Sequence, residues 1–580
     1  MLKALADFAA TLDLPPRMYA LSPVCWQIEL DLEGNLLGLE PLFTTVTTKK
    51  KGKDGKTEEK PILGQKKPTP HISRNAAKAK LLTDTAEYVL GLGAERAVTY
   101  FQLYCQLVQQ CFEATQEPTV RAVVKFLANN PLLSVQAYLE KYPVADFVLE
   151  KGHVIGFWVD DVDPVELPSV QQFWADYLDA QSGEDLAIYP CLITGKPKRI
   201  STKIEYKVKG VPDTQASGAS LVSAYCDSFH SFGLKQAENS PISVDGVEQL
   251  SQAIAYLINS DKHRLRIGSV LYLFWGAREF NLDLVKDPTL DDVQNLLQAA
   301  QKGKKAQVNV NAADFYVMAL SGGGGRVIVR DFLQTTIDTV NYNLATWFQW
   351  QQLYDWKGEI GKPLGIYQLA AVAYRDPAKE LQARDLTSLA KGALAGETLP
   401  LELLQKVLTR VRVQPDKGAS YRQAVLIKLI LNSREVNILP ELDERMASLT
   451  SRQKVAYCCG RLMATFESIQ WNALGDVGAS VSDKSYAAAA TTPSRIFGRL
   501  GSSAINHLAT LRKKEKGTAI ALEKRLQEIY DAIPEGKLPN TLSLEEQAIF
   551  DMGYWQQKAA NAKAAKEWKA QNQIKDQPET

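Results

Sequence analysis

FYVMALSGGGGRVIVRDF, residues 315–332, reads as a strand, a tight turn and a second strand. Apolar, aromatic and β-branched side chains fill both arms, and four glycines free the backbone between them to reverse direction. Upstream, Trp26, Ile28 and Leu30 alternate with Gln27, Glu29 and Asp31 before Gly34-Asn35, a second hairpin signal. From Arg74 to Glu150, apolar residues recur three and four apart (Leu103, Leu107, Cys111), which predicts helices, closed by the strand-like GHVIGFWVD at 152–160. Tyr189 to Gly276 mixes strand signals with one helix near Val247–Ile258. Beyond Gly361 the character changes. Patterns such as LPLELLQKVLTRV (399–411) and YRQAVLIKLILNS (421–433) read as amphipathic helices punctuated by Pro415 and Pro440. The fold class is therefore α+β: a large mixed α/β region with antiparallel β segments over 1–360, followed by a helical bundle over 361–580. No fixed-period repeat is present, and the polar tail after Trp568 is expected to fray.

A chain of 580 residues is long enough for three or four folding units, and 45% apolar against 23% charged residues is the balance of an ordinary globular protein. Seven scattered cysteines, an odd number without a C-x-x-C pair, read as reduced thiols in a cytoplasmic protein. No apolar run reaches the roughly 18 residues of a spanning helix, and the first residues lack a signal-peptide pattern. A net charge of only +1 excludes general attraction to a polyanion, so nucleic-acid binding has to come from local clusters.

Two such clusters stand out. Lys49 to Lys67 holds eight lysines against three acidic residues and is expected to be a solvated loop. Lys196, Lys198, Arg199, Lys203, Lys207 and Lys209 stand against Glu205 alone, in strand-like sequence suited either to a solvated face or to tracking phosphates. Ser321-Gly322-Gly323-Gly324-Gly325-Arg326 fits a hairpin turn better than a phosphate loop, since no Lys-Ser or Lys-Thr follows and the spacing is not that of a dinucleotide fingerprint. Five dispersed histidines and the lack of H-E-x-x-H or G-x-S-x-G leave no catalyst to nominate. Asp160, Asp161 and Asp163, followed by Pro164, suit a turn with a capping carboxylate; the rival is a divalent-metal site in a metal-dependent nuclease or nucleic-acid-processing enzyme. Cys458 and Cys459 point different ways on a helix and read as core. No catalytic residue, metal site or cofactor is expected.

Several segments in order along the chain carry a resemblance. They are PPRMYALSPVCWQIELDLEGNL (15–36), LLTDTAEYVLGLG (81–93), CLITGKP (191–197), KVKGVPDTQASGASLVSAYCDSFHSFG (207–233), NSPIS (239–243), VLYLFWG (270–276), ALSGGGGRVIVRDF (319–332), AYCCGRLMATFESIQWNA (456–473) and LSLEEQAIFDMGYWQQ (542–557). Together they resemble the large subunit of the type I-C CRISPR surveillance complex, Cascade. Two departures are Glu205-Tyr206, where the family usually carries a histidine, and Trp555-Gln556-Gln557, where it usually ends tyrosine-histidine-glutamine.

The resemblance implies a non-catalytic antiviral-defence subunit beside the one that grips the guide-RNA handle. It would inspect duplex DNA for a short adjacent motif (the PAM), help open an R-loop and recruit a helicase-nuclease. The implied partners are the guide RNA, target duplex and displaced single strand, and the Cascade backbone, handle-binding and small subunits, with no membrane. It further implies that an internal start, at Met446 or Met463, yields the C-terminal part separately as a small subunit. Met446 keeps whole the helix that begins near Ser451, so that 446–580 resembles the small subunit.

Chemistry, rather than any matched functional position, nominates the contacts. Lys49, Lys50, Lys51, Lys53, Lys56, Lys66 and Lys67, with Arg74, suit duplex phosphates, and Asn75, Gln215, Ser217 and Asn239 suit base edges. Lys203, Lys207, Lys209 and Arg326 suit the guide-RNA handle. Arg495, Arg499, Arg512, Lys513, Lys514 and Lys516, with Lys558, Lys563 and Lys566 on a last helix, suit the displaced strand.

Overall fold

The computed structural model describes residues 1–49, 57–72, 76–143, 148–181, 188–200, 207–224, 226–276, 280–289, 291–292, 315–414 and 418–575. They form two compact units: Met1–Lys209 with Gln215–Tyr256, and Gly210–Thr214 with Leu257–Thr580. Two units rather than three or four follow from the packing, because one continuous apolar core joins the second unit's sheet to its helices. The loss of strand signals at 360/361 falls inside that unit.

In the first unit the alternation around Trp26 builds a strand, Trp26–Leu30, whose Trp26, Ile28 and Leu30 are buried. It pairs antiparallel with Leu36–Pro41 through the Gly34-Asn35 turn, and parallel with Val154–Val159. A parallel pair needs a long crossover. The helices Arg96–Thr115, Pro118–Ala128 and Pro131–Lys141 lie within it and pack Val108, Val123 and Val135, respectively, into the same core. Over 76–95 the predicted helix is largely absent: only Asp84–Thr85, a two-residue strand, and Ala86–Val89, a single turn, form there.

Within the Lys49–Lys67 stretch, Lys49 and residues 57–67 correct a second expectation, while 50–56 lie outside the described residues. Phe43–Lys49 and Thr57–Leu63 pair antiparallel, from Phe43 opposite Leu63 to Lys49 opposite Thr57, and Gln65–Pro70 pairs with Tyr19–Val24. The β-branched run Thr44-Thr45-Val46-Thr47-Thr48 outweighs the lysines that follow it.

The second unit opens on an antiparallel sheet ordered Arg264–Ile267, Val270–Gly276, Phe315–Gly323, Arg326–Thr335. The predicted glycine hairpin is its last turn. Gly322 is required there for a reason the turn alone does not supply: a Cβ would stand 2.3 Å from the Asp213 carbonyl carbon and oxygen. Helices follow from Ile337 onward: those beyond Gly361 are where the patterns predict them, whereas Ile337–Gln351 precedes that boundary and was not predicted. Tyr421–Ser433, capped by a Ser420–Gln423 box, differs from its predicted amphipathic character in being buried all round from Gln423 to Asn432. Its Lys428 donates to the Trp350 carbonyl at 2.8 Å, and burial pushes that ammonium down to about 8.

The C-terminal bundle comprises Ser451–Leu474, Val481–Thr491, Pro493–Lys514, Lys516–Asp531 and Leu544–Lys575; the last continues past Trp568, where fraying was expected. Cys458 and Cys459 are core, as read, and all seven cysteines are free thiols. Ser451–Leu474 and Leu544–Lys575 meet backbone to backbone. A Cβ on Gly460 would lie 2.0 Å from the Phe550 carbonyl oxygen, and one on Gly553 2.2 Å from that of Tyr457. We expect Gly460→Ala and Gly553→Ala each to cost about 3 kcal/mol in chemical denaturation, since neither helix backbone can yield without unpacking the other.

Asp551, buried beside this contact, accepts the Tyr486 hydroxyl at 2.7 Å. Burial pushes its carboxyl up to about 7, against the opposing pull of Tyr486 and the Arg412 charge. A carboxyl raised in the folded state holds its proton more tightly there than in the unfolded chain, so its contribution is largest at low pH. It is lost as pH rises from about 4 toward 7. Asp551→Asn should therefore flatten the fall in stability across that window and leave the variant more stable than the parent at pH 8, as read by urea midpoints.

Candidate nucleic-acid interface

In the first unit, Val208 is buried and exchanges both backbone hydrogen bonds with Ala219, at 2.8 and 2.9 Å. Its neighbours Lys207 and Lys209 are exposed. Gly218, at φ +95°, passes beneath both: a Cβ would stand 2.9 Å from Lys207 Cβ and 3.1 Å from Lys209 Cγ. The same turn, closed by Gly218 N–H donating to the Gln215 carbonyl at 2.9 Å, exposes Gln215 and Ser217. Four residues nominated from sequence thus share one surface, where two ammoniums flank an amide and a hydroxyl. Loss of hydration, followed by the charges of Lys80 and Lys209, pushes the His71 imidazole down to about 4, so His71 adds no charge to this patch at neutral pH.

Other nominees in this unit are used internally. Lys67 donates to Gln27 Oε1 at 3.1 Å, lies 3.8 Å from Asp163 Oδ2 and sits 5.6 Å from the Trp158 ring centroid. Asp163 also accepts the Val165 N–H, capping the short turn Pro164–Glu166; burial pushes its carboxyl up to about 6. Asp160 and Asp161 occupy positive-φ turn positions, and among the described residues no group of three His, Cys, Asp or Glu is set to hold a metal. Asn239 spends its amide on its own loop: Oδ1 accepts from Ser231 N–H, and Nδ2 donates to the Leu234 and Gln236 carbonyls. Lys66 is exposed on the strand Gln65–Pro70, and Lys49 ends the strand Phe43–Lys49. Lys50, Lys51, Lys53, Lys56, Arg74, Asn75 and Lys203 lie outside the described residues.

In the second unit the helix Pro493–Lys514 carries the clearest feature. It has five cations, Arg495, Arg499, Arg512, Lys513 and Lys514, and no acidic residue. Phe497, Leu500, Ala504, Leu508 and Leu511 are buried on one face. At 100° per residue the opposite face presents Arg495, Arg499, Ser502, Asn506 and Lys513, all exposed, over about 27 Å of axis. Cations separated by small polar side chains form a groove-free stripe on which a sugar–phosphate backbone can lie.

Flanking nominees are committed elsewhere. Arg512 pairs with Glu523, and Lys514 donates to the Ala473 carbonyl at 2.7 Å, closing the end of the Ser451–Leu474 helix. Lys516 begins the following helix and is exposed. On the last helix Lys558 pairs with Glu467 at 3.2 Å, Lys563 lies 5.1 Å from the Tyr354 ring centroid and Lys566 pairs with Glu359 at 2.5 Å. Arg326 opens its strand, half-buried, beside the glycine turn.

Sequence reasoning passed over the fully exposed Phe232, for which no local signal exists, and the polar positions Ser502 and Asn506 between the arginines. The total absence of Asp and Glu from 493–514 was the available signal for that face.

Arg495→Ala, Arg499→Ala and Lys513→Ala combined should lower the slope of log K against log salt for single-stranded DNA by about 2, at roughly 0.7 per lost contact, with no loss of thermal stability. Lys566→Ala should leave that slope unchanged.

No helix among the described residues is long and apolar enough to cross a membrane. The family model of the CRISPR-associated protein (Cas_Csd1) matches residues 3–562. No curated protein matches the chain.

Proposed function

Because the chain belongs to the CRISPR-associated Cas_Csd1 family, we propose that it is the non-catalytic large subunit of a type I-C Cascade working in the cytoplasm. The observation that carries the reading is the acid-free helix Pro493–Lys514, whose outward face offers cations to a polyanion in a molecule of net charge only +1. That face is exposed, and a strand displaced from a duplex is the ligand it suits.

The division of labour follows from the chemistry. Lys207 and Lys209, assigned to the guide-RNA handle from sequence, lie against the Gln215–Gly218 turn and are reassigned to duplex phosphates, fixing position, while Gln215 and Ser217 carry the donors and acceptors that discriminate base edges in an adjacent motif. The guide RNA reads the remaining target by base pairing, which spares the protein a sequence code of its own. Companion backbone, handle-binding and small subunits hold the guide, and a recruited helicase-nuclease cuts.

Binding titrations of the reconstituted complex against a library of adjacent motifs test this. Lys207→Ala with Lys209→Ala should weaken all motifs alike and lower the salt slope by about 1.8. Gln215→Ala or Ser217→Ala should cost roughly 1–3 kcal/mol for the preferred motif and blur the preference. Cleavage of labelled DNA by the purified chain with Mg²⁺ or Mn²⁺, abolished by Asp163→Asn, would replace this reading with that of a metal-dependent nuclease.

A further inference from the structure

Among the described residues two tryptophans stand well clear of the protein, Trp356 at 67% exposure and Trp471 at 63%. Single exposed apolar residues need no explanation. These two differ in what covers the ring. The Lys357 ammonium lies 5.2 Å from the Trp356 ring centroid, whereas no described ring or ammonium covers Trp471. The backbone of Trp471 is fixed nonetheless. It lies in the last turn of Ser451–Leu474, and its carbonyl accepts the N–H of the C-cap Gly475 at 2.8 Å. Two residues on, the Ala473 carbonyl accepts the Lys514 ammonium at 2.7 Å. Leu474, three residues from Trp471 and so on the same face of the helix, is 45% exposed.

The bond from Lys514 brings this apolar spot to one end of the basic stripe. Lys513, the last cation of the stripe, precedes Lys514 in the chain, Lys516 opens the next helix, and all three are exposed. Most nearby carboxylates have partners: Glu515 accepts the Thr518 hydroxyl at 3.0 Å, Glu523 pairs with Arg512, and Glu467, one turn before Trp471, pairs with Lys558. Asp476 is exposed on the loop beyond Gly475, so three cations stand against that one carboxylate. Cations alone do not tell one polyanion from another, since they hold the phosphates of a duplex and of a single strand alike. An open indole beside them does, because the flat face of a base is free only where the strand is unpaired.

We propose that Trp471 is a stacking platform that makes the stripe selective for an unpaired strand: one base lies on the indole beside Leu474, while Lys513 and Lys516 hold the adjoining phosphates. Stacking is tolerant of base identity, because every base has a π face, and that suits a strand whose complement the guide has already read. Two apolar side chains beside three cations match a nucleotide, which is flat and apolar on one side and anionic on the other, better than the apolar face of a partner helix. This inference rests on the displaced strand being a ligand of the stripe, as proposed above, and names what distinguishes that strand from duplex.

The full-length chain is titrated with labelled oligothymidylate, with a strand of the same length that lacks bases, and with a closed hairpin duplex. Trp471→Ala should weaken oligothymidylate binding about tenfold and leave the salt slope, the baseless strand and the duplex unchanged. Trp471→Phe, which keeps a ring, should restore most of the loss. Equal affinity of parent and Trp471→Ala for oligothymidylate, with the combined Arg495→Ala, Arg499→Ala and Lys513→Ala variant still weakened, would overturn the platform and leave the stripe standing. Indifference of oligothymidylate to that combined variant would remove the strand reading and the platform together. A loss on Trp471→Ala shared equally by strand, baseless strand and duplex would show that the ring supports the fold and reads no base, and would likewise overturn the platform.

Discussion

Two helices that touch through their backbones set the geometry of the C-terminal bundle. At Gly460 and Gly553 there is no room for even one carbon atom, so Ser451–Leu474 and Leu544–Lys575 approach more closely than side-chain packing allows. That closeness brings polar side chains of the two helices within reach of each other along the seam. The Tyr457 hydroxyl donates to Gln556 Oε1 at 2.5 Å, Arg461 Nε donates to Gln557 Oε1 at 3.0 Å, and the Tyr554 hydroxyl donates to Glu467 at 2.6 Å. A buried network of this kind holds only in one register, because a slip of one turn leaves each of these groups unpaired. Trp555-Gln556-Gln557 take part in this seam: Trp555 Nε1 donates to the Tyr354 carbonyl at 2.9 Å, and Gln556 Nε2 to that of Leu439 at 2.6 Å. These three positions are structural.

The basic stripe inherits its direction from this pair. Phe466 on the first helix lies 6.0 Å from Phe497, ring centroid to centroid, so the helix Pro493–Lys514 has its apolar face fixed against the seam. Arg495, Arg499 and Lys513 are thereby turned outward to solvent. Both glycine-bearing helices lie within 446–580, together with the stripe, so this segment contains its own organising contact. Met446, by contrast, is buried in the full chain, and its N–H donates to Asp443 Oδ1 at 2.7 Å.

Legibility in the sequence tracked how local each signal was. The hairpin at 315–332, the helices beyond Gly361 and the start of Ser451–Leu474 could be read because turn glycines, periodicity and the Thr450–Gln453 capping box lie within a few residues of what they specify. Lysine content around 49–67 misled because it weighs charge, while the strands there answer to a threonine run and to partners in Tyr19–Val24. The basic residues divide in the same way. Nothing near Lys558, Lys563 or Lys566 foretells Glu467, Tyr354 or Glu359, which arrive from some 90 to 210 positions away. Asn239 has the chemistry of a base reader and the position of a loop brace; only its three hydrogen bonds distinguish the two.

Net charge is therefore the wrong measure of how this molecule would meet a polyanion. At physiological ionic strength the screening length is about 8 Å, so a phosphate responds to the cations beside it and hardly to the sum over 580 residues. What counts is which cations the fold has already spent. Lys67, Arg512, Lys558 and Lys566 hold carboxylates, and their charges are balanced where they stand. Arg495, Arg499 and Lys513 stand on a helix without a single acidic residue, and Lys207 with Lys209 on a turn where Gly218 leaves space for both. Balanced overall and unbalanced in two places, the chain under the proposed function would grip a backbone at those places and stay indifferent to it elsewhere, the condition for delegating sequence recognition to a guide.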